Sequence, residues 1–210
     1  MLLQSLLWFH GGINDTNVSG KLFEELAYNA FLGSGHKDAV WNCGGMQQGY
    51  DIVVHGARVS CKCGKFFLRS FRENEKSQYL KISSYRMGTK NTLKEKTDFL
   101  EKQHEDVILG LSNEHVNHTE LHRYVLHTTE RKNLDFQTIE WKEHMTASGK
   151  MDFRGYSKNG MYAEIRGAMS NQLWFYVPIE FVKIYFDILL FHDKPNMYLI
   201  TETKEPVFIG

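Results

Sequence analysis

Leu22, Phe23, Leu26, Ala30 and Phe31 recur at helical spacing and predict an amphipathic helix over residues 19–32. Ser19 is placed to cap its start, and Gly33-Ser34-Gly35 ends it. A Gly-rich stretch, residues 43–49, leads into an apolar strand over residues 50–54. His55-Gly56-Ala57 reads as a tight turn, and residues 58–63 then alternate polar and apolar with the period of a strand. A helix followed by a hairpin is the expectation. Further along, residues 91–104 predict a polar helix with Leu93, Phe99 and Leu100 on one side. Residues 107–111 form a short apolar run, strand or helix by pattern alone. Residues 121–128 and 134–141 read as strands, residues 150–171 as irregular strands with an exposed loop, and residues 174–177 as a strand closed by Pro178. Residues 181–191 are apolar enough for a buried helix or strand. The opening stretch, residues 1–9, is expected to pack on the core. Strands interleaved with helices predict a mixed α/β or α+β domain spanning 1–210, with no linker.

Composition agrees with this. The chain has 210 residues, 42% hydrophobic and 13% aromatic, with only three prolines, which excludes disorder as the main state. No apolar run reaches the roughly 20 residues of a membrane span. The start lacks the basic flank and small-residue cleavage site of a signal peptide. Three cysteines (Cys43, Cys61 and Cys63) are an odd number, and the last two would share one strand, so a reducing cytoplasm is expected. Charge changes the picture more. The totals balance at 25 basic and 25 acidic, yet residues 54–96 hold eleven Lys or Arg against three Glu. One basic block of +8 in an otherwise acidic chain points to a local surface for a polyanion, or to a solvated basic face.

Within that block, strand alternation puts Arg58, Ser60 and Lys62 on one face and Val59, Cys61 and Cys63 on the other. The turn brings Asp51 beside the polar face. An acid and a lysine converging at a sheet edge suit phosphodiester hydrolysis. Carboxylates hold Mg²⁺, and the ammonium orients water or steadies the charged phosphate.

Asp51, then a turn, then Ser60-Cys61-Lys62, preceded by a helix with Glu24 and Glu25, resembles the PD-(D/E)XK nuclease superfamily, most of all its type II restriction endonucleases. The resemblance covers roughly residues 19–100. It implies a restriction endonuclease-like mixed sheet flanked by helices and Mg²⁺-dependent, site-specific cleavage of double-stranded DNA in a bacterial or archaeal cytoplasm. It also implies a homodimer, since two-fold symmetry matches a palindromic site. By the same resemblance Asp51 is the central metal-binding aspartate, Lys62 the catalytic lysine, the Cys61 carbonyl a metal ligand, and Glu24 the helix glutamate. Glu25 competes with Glu24, since helical spacing does not choose between them. The catalytic core would occupy about 19–130, and DNA-reading and dimerisation elements about 131–210.

Two departures stand out. Tyr50 replaces the motif's proline, and Ser60 replaces its second acid. Glu73 or Glu75 could substitute from a following helix, or Glu24 must complete the site. DNA contacts are expected from Lys65, Arg69, Arg72, Lys81 and Arg86, and base reading from Arg154, Lys158, Asn159 and Arg166. Other signals read as structural. His115, His118, His122 and His127 are expected to be surface histidines rather than a zinc site, Cys61 and Cys63 buried thiols, and Trp174, Phe175 and Tyr176 core. A structure-selective nuclease of the same fold and a binding module with a decayed site are the competing functions.

Overall fold

The computed structural model describes residues 2–13, 18–42, 49–70, 78–88, 90, 92–115, 121–191, 198–201 and 207–208. Glu73, Glu75, Arg72, Cys43 and His118, and most of the Gly-rich stretch, lie outside them. The chain is mixed α and β, as its patterning predicts.

Helices α1 (Leu2–Ile13) and α2 (Gly20–Gly33) come first, then strands β1 (Val40–Trp41), β2 (Ile52–Val54), β3 (Ala57–Lys65), β4 (Leu68–Arg69) and β5 (Tyr79–Arg86). Helix α3 (Leu93–Glu101) leads to β6 (Val107–His115), β7 (Leu121–Glu130), β8 (Lys142–Met145), β9 (Met151–Tyr156) and β10 (Tyr162–Arg166). The chain continues with β11 (Gln172–Pro178), β12 (Lys183–Phe191), β13 (Tyr198–Thr201) and β14 (Val207–Phe208). These strands form two sheets, ordered β1-β2-β3-β6-β7-β12-β13-β14 and β4-β5-β11-β10-β9-β8. All described pairings are antiparallel except β3 with β6, where Lys62 lies beside Gly110. A parallel neighbour needs a crossover, and here the crossover runs through β4, β5 and α3.

The predicted caps form. Ser19 Oγ accepts from Leu22 N at 3.3 Å, and Thr92 with Glu95 closes a capping box on α3. Leu7 of α1 and Phe23 and Ala27 of α2 are buried against Val59, Cys61, Leu109, Leu111, Tyr124 and Leu126, on one face of the first sheet. Burying side chains of this size contributes roughly 1.5–3 kcal/mol each. A second core gathers Leu100 of α3 and Ile108 of β6 with Ile82, Phe153, Ile165, Leu173 and Phe175 of the second sheet. The sheets exchange chain: β5 precedes residue 130 yet joins the second sheet, and β12 follows it yet joins the first.

Several expectations need correction. Residues 134–141 are not a strand. Asp135 accepts from the Thr138 N–H at 3.3 Å and from its hydroxyl, which bends the backbone. The bend still buries Leu134, Phe136 and Ile139. It lies tight on β9, where a Cβ at Gly155 would meet the Glu140 carbonyl at 2.4 Å. Residues 150–171 form the regular pair β9 and β10. Two segments whose pattern left strand or helix open are strand: 107–111, and 181–191 from Lys183 onward. Trp174 is only half-buried, because alternation turns Phe175 into the core and Trp174 away from it. The basic block is less solvated than its charge suggests. Lys96 is 1% exposed, and its ammonium donates to the Lys90 carbonyl at 2.6 Å.

Candidate active site

His55 and Gly56 both have positive φ, 50° and 77°, as a two-residue type I′ turn requires. The ladder it closes pairs Val54 with Ala57, Val53 with Arg58 and Ile52 with Val59. It extends one bond further, with Asp51 N donating to the Val59 carbonyl at 2.9 Å. This fixes where the Asp51 side chain begins.

The Asp51 carboxylate then caps the next stretch of β3. Its Oδ2 accepts from the Cys61 N–H at 2.6 Å and from the Ser60 hydroxyl at 3.3 Å. The Lys62 ammonium stands 3.8 Å from the same oxygen. Both charged side chains keep a solvent-facing edge, 25% exposed for Asp51 and 20% for Lys62. Lys62 also lies 5.5 Å from the centre of the Tyr85 ring, on β5. The Tyr85 hydroxyl donates to buried Glu105, whose Oε1 lies 3.6 Å from Arg131 Nε.

Helix α2 carries both candidates for the second acid, and its rotation separates them. Glu25 is exposed, whereas Glu24 is partly buried and feels the Asp51 charge. Burial raises the Glu24 pKa, the Asp51 charge raises it further, and Lys62 opposes both. The Trp41 indole N–H also favours the ionised form without closing a full hydrogen bond. Tyr28 of α2 stacks on Trp41 with ring centres 5.7 Å apart, tying the helix to β1.

Of the two thiols expected to be buried, Cys61 is buried and Cys63 partly so. Cys61 is buried in the core under α2, and burial pushes its pKa well up. Burial pushes the Cys63 thiol up to about 12; its Sγ donates to the Val18 carbonyl at 3.0 Å. Neither thiol is a ready nucleophile. Of the histidines at 115–127, His122 and His127 are buried rather than on the surface. They lie on one strand, five residues apart, so their side chains leave opposite faces. Burial lowers the His127 pKa to about 4, and its Nε2 meets the Ser112 hydroxyl at 3.1 Å. Among the described residues no group of three or more His, Cys, Asp or Glu is arranged to hold a metal ion.

Of the expected DNA contacts, Arg69, Lys81, Arg154 and Arg166 share one face of the second sheet around Glu164, Trp174 and Tyr176, and the others lie elsewhere. Lys65 and Arg86 are exposed at strand ends, and Arg69 is exposed on β4. Lys81 sits 3.4 Å over the Trp174 ring, and burial lowers its pKa. Arg154 and Arg166 pair with buried Asp152, at 3.2 and 3.0 Å, and lie near Glu164. Lys158 is exposed. Asn159 is committed to its turn: Nδ2 donates to the Asn133 carbonyl at 2.9 Å, and Oδ1 accepts from the Ser157 hydroxyl.

Sequence reasoning missed Tyr85 and Glu105 and placed His127 on the surface. Their partners lie 15 to 26 residues away, and no local spacing signals them. Compared with models of protein families, with curated proteins and with solved structures, the chain has no match.

Proposed function

We propose that the chain is a site-specific endonuclease of the type II restriction kind, hydrolysing phosphodiester bonds of double-stranded DNA with Mg²⁺ as a homodimer. The observation that carries this reading is the Asp51 carboxylate clasped to β3, with the Lys62 ammonium 3.8 Å away.

The donor set suits a hard cation. Burial first and the Asp51 charge second raise the proton affinity of Glu24, and a divalent ion relieves the repulsion between the two carboxylates. The Cys61 N–H points to Asp51, and in an extended strand the same residue's carbonyl leaves on the same edge. Beyond Ile52 strand β2 has ended there. Two carboxylates and a carbonyl suffice for Mg²⁺, which keeps several of its waters. Asp51, Glu24 and the Cys61 carbonyl would therefore hold it. When bound, the ion neutralises charge growing on the phosphate and lowers the pKa of a ligated water.

The chain's own groups do the remaining work. The Cys61 N–H and the Ser60 hydroxyl fix the Asp51 rotamer, so its carboxylate is pre-set. Lys62 offers three N–H donors to an incoming water or to a non-bridging phosphate oxygen. The Tyr85 ring lies under that ammonium. Exposed Lys65 continues the strand toward solvent, where a phosphate backbone would pass.

A plasmid digest with Mg²⁺ or EDTA tests the reading. Discrete Mg²⁺-dependent bands, lost in Asp51→Asn and Lys62→Ala, are the expected result. A smear would favour a structure-selective or nonspecific nuclease. The competing binding module has one observation in its favour, the Ser60 hydroxyl standing where the motif carries an acid. Intact plasmid with retained DNA binding would decide for it.

A further inference from the structure

At the tip of the same hairpin two imidazoles converge, remote in role from Asp51 and Lys62. His55 holds φ at 50°, a left-handed conformation that costs a non-glycine residue about 1 kcal/mol or more. Asp38 holds it there: Oδ2 accepts from the His55 backbone N–H at 2.5 Å and lies 3.1 Å from Nδ1. That contact keeps the ring proton on Nδ1 and leaves the lone pair on Nε2. Nε2 faces His36 Nδ1 at 2.7 Å, with the rings 79° apart in plane. The His36 ring in turn sits edge-on to Phe31 of α2, with centroids 5.9 Å apart.

We propose that His36 and His55 are the two protein ligands of a binding site for a borderline-soft divalent ion such as Zn²⁺, completed by water. Imidazole pairs suit this class of ion, and a carboxylate on the far nitrogen of a ligating histidine is the usual outer support. Asp38 supplies it. Zn–N bonds of about 2.0–2.1 Å place two tetrahedral ligand atoms about 3.3 Å apart, so the pair opens by roughly 0.6 Å. The His55 side chain, 66% exposed, has room to do so. In the metal-free pair His36 Nδ1 carries the shared proton. Ligation moves it to His36 Nε2 by exchange with solvent, so no net proton is released. The bound ion ties the segment after α2 to the hairpin tip. It thereby braces the helix that carries Glu24 against the strands that carry Asp51 and Lys62.

Calorimetric titration of Zn²⁺ into the EDTA-treated full chain tests this without any cleavage assay, so the result stands apart from the nuclease reading. One equivalent should bind, with a thermal midpoint that rises on Zn²⁺ addition. His36→Ala and His55→Asn should each weaken binding at least tenfold, and Asp38→Asn about tenfold. Asparagine tolerates the left-handed conformation, so His55→Asn keeps the turn. Circular dichroism of each variant confirms its fold. Binding weaker than about 1 mM in the unaltered chain overturns the proposal, and so does binding that survives both histidine substitutions unchanged.

Discussion

Gly110 and His127 face each other across β6 and β7, and the imidazole fills the space that a side chain at 110 would take. A Cβ built on Gly110 would lie 2.0 Å from His127 Cε1, 2.5 Å from Nε2 and 2.6 Å from Nδ1. Ordinary carbon contacts are about 3.5–4.0 Å. Gly110→Ala therefore forces the ring to swing by more than an ångström and to give up the Ser112 hydroxyl. Overpacking costs about 1–3 kcal/mol, and a buried group left unsatisfied about 1–3 more. The stiffer backbone of alanine returns roughly 0.5–1 kcal/mol. We expect a net loss of about 2–4 kcal/mol, or a midpoint lower by roughly 5–15 °C for a chain of this size. His127→Ala alone also destabilises, by opening a cavity. The double variant should be more stable than the two losses added together by about 2 kcal/mol, because the new methyl then enters vacated space. Urea unfolding of all four proteins measures the coupling. Additivity within about 0.5 kcal/mol would refute the overlap. The same ring gives a pH signature. Its pKa, lowered by burial from 6.5 to about 4, means that the unfolded chain takes up the proton first as pH falls. Stability should decline between those values by roughly 3 kcal/mol, and His127→Ala should flatten that slope.

Other outcomes follow from the site and the sheet edges. Asp51→Ala strands the Cys61 N–H and should cost about 1–3 kcal/mol, whereas Asp51→Asn keeps an acceptor and should cost less; urea unfolding separates them. The raised Glu24 pKa means that its ionised form opposes folding, so stability falls as pH rises through that pKa. Glu24→Gln should raise the thermal midpoint of metal-free protein near neutral pH, with the gain vanishing in acid, while Glu25→Gln leaves it unchanged. Arg58 donates to Asp106 through its backbone, Nε and Nη2, which holds that carboxylate down at about 2. Its contribution is present above the usual carboxylate range and is lost as pH falls toward 2. Because both side chains are exposed the contribution is small, and Arg58→Met, which keeps the backbone N–H to Asp106, should reduce that acid-sensitive part of the unfolding curve without abolishing it.

Local signals in the sequence reached the helix, hairpin and acid–lysine pair because each is made by neighbours. Ser19 caps α2 from three residues away, and a two-residue turn brings Asp51 to Ser60 and Cys61. Strand alternation sorted Lys62 from Cys61 correctly for the same reason. The segment 134–141 failed because its apolar residues are buried by a side-chain-bent turn, whose spacing imitates a strand. Trp174 failed because a neighbour on another strand, Lys81, gives its ring a partner outside the core. The choice of Glu24 over Glu25 required the rotation of α2 on the sheet, which Trp41 and Tyr28 help to set.

The parallel seam between β3 and β6 bears on the order of folding. Asp51 and Lys62 meet through a hairpin that closes over a few residues, so their contact is available early and at little loop entropy. Lys62 and Gly110 are 48 positions apart, and the seam cannot zip until β4, β5 and α3 have been laid down. Contacts of that range slow folding. The acid–lysine pair should thus exist as a fluctuating ribbon before the floor beneath it is built. The amides bonded across the β3–β6 seam should gain hydrogen-exchange protection together, and later than the β3 amides that face the hairpin.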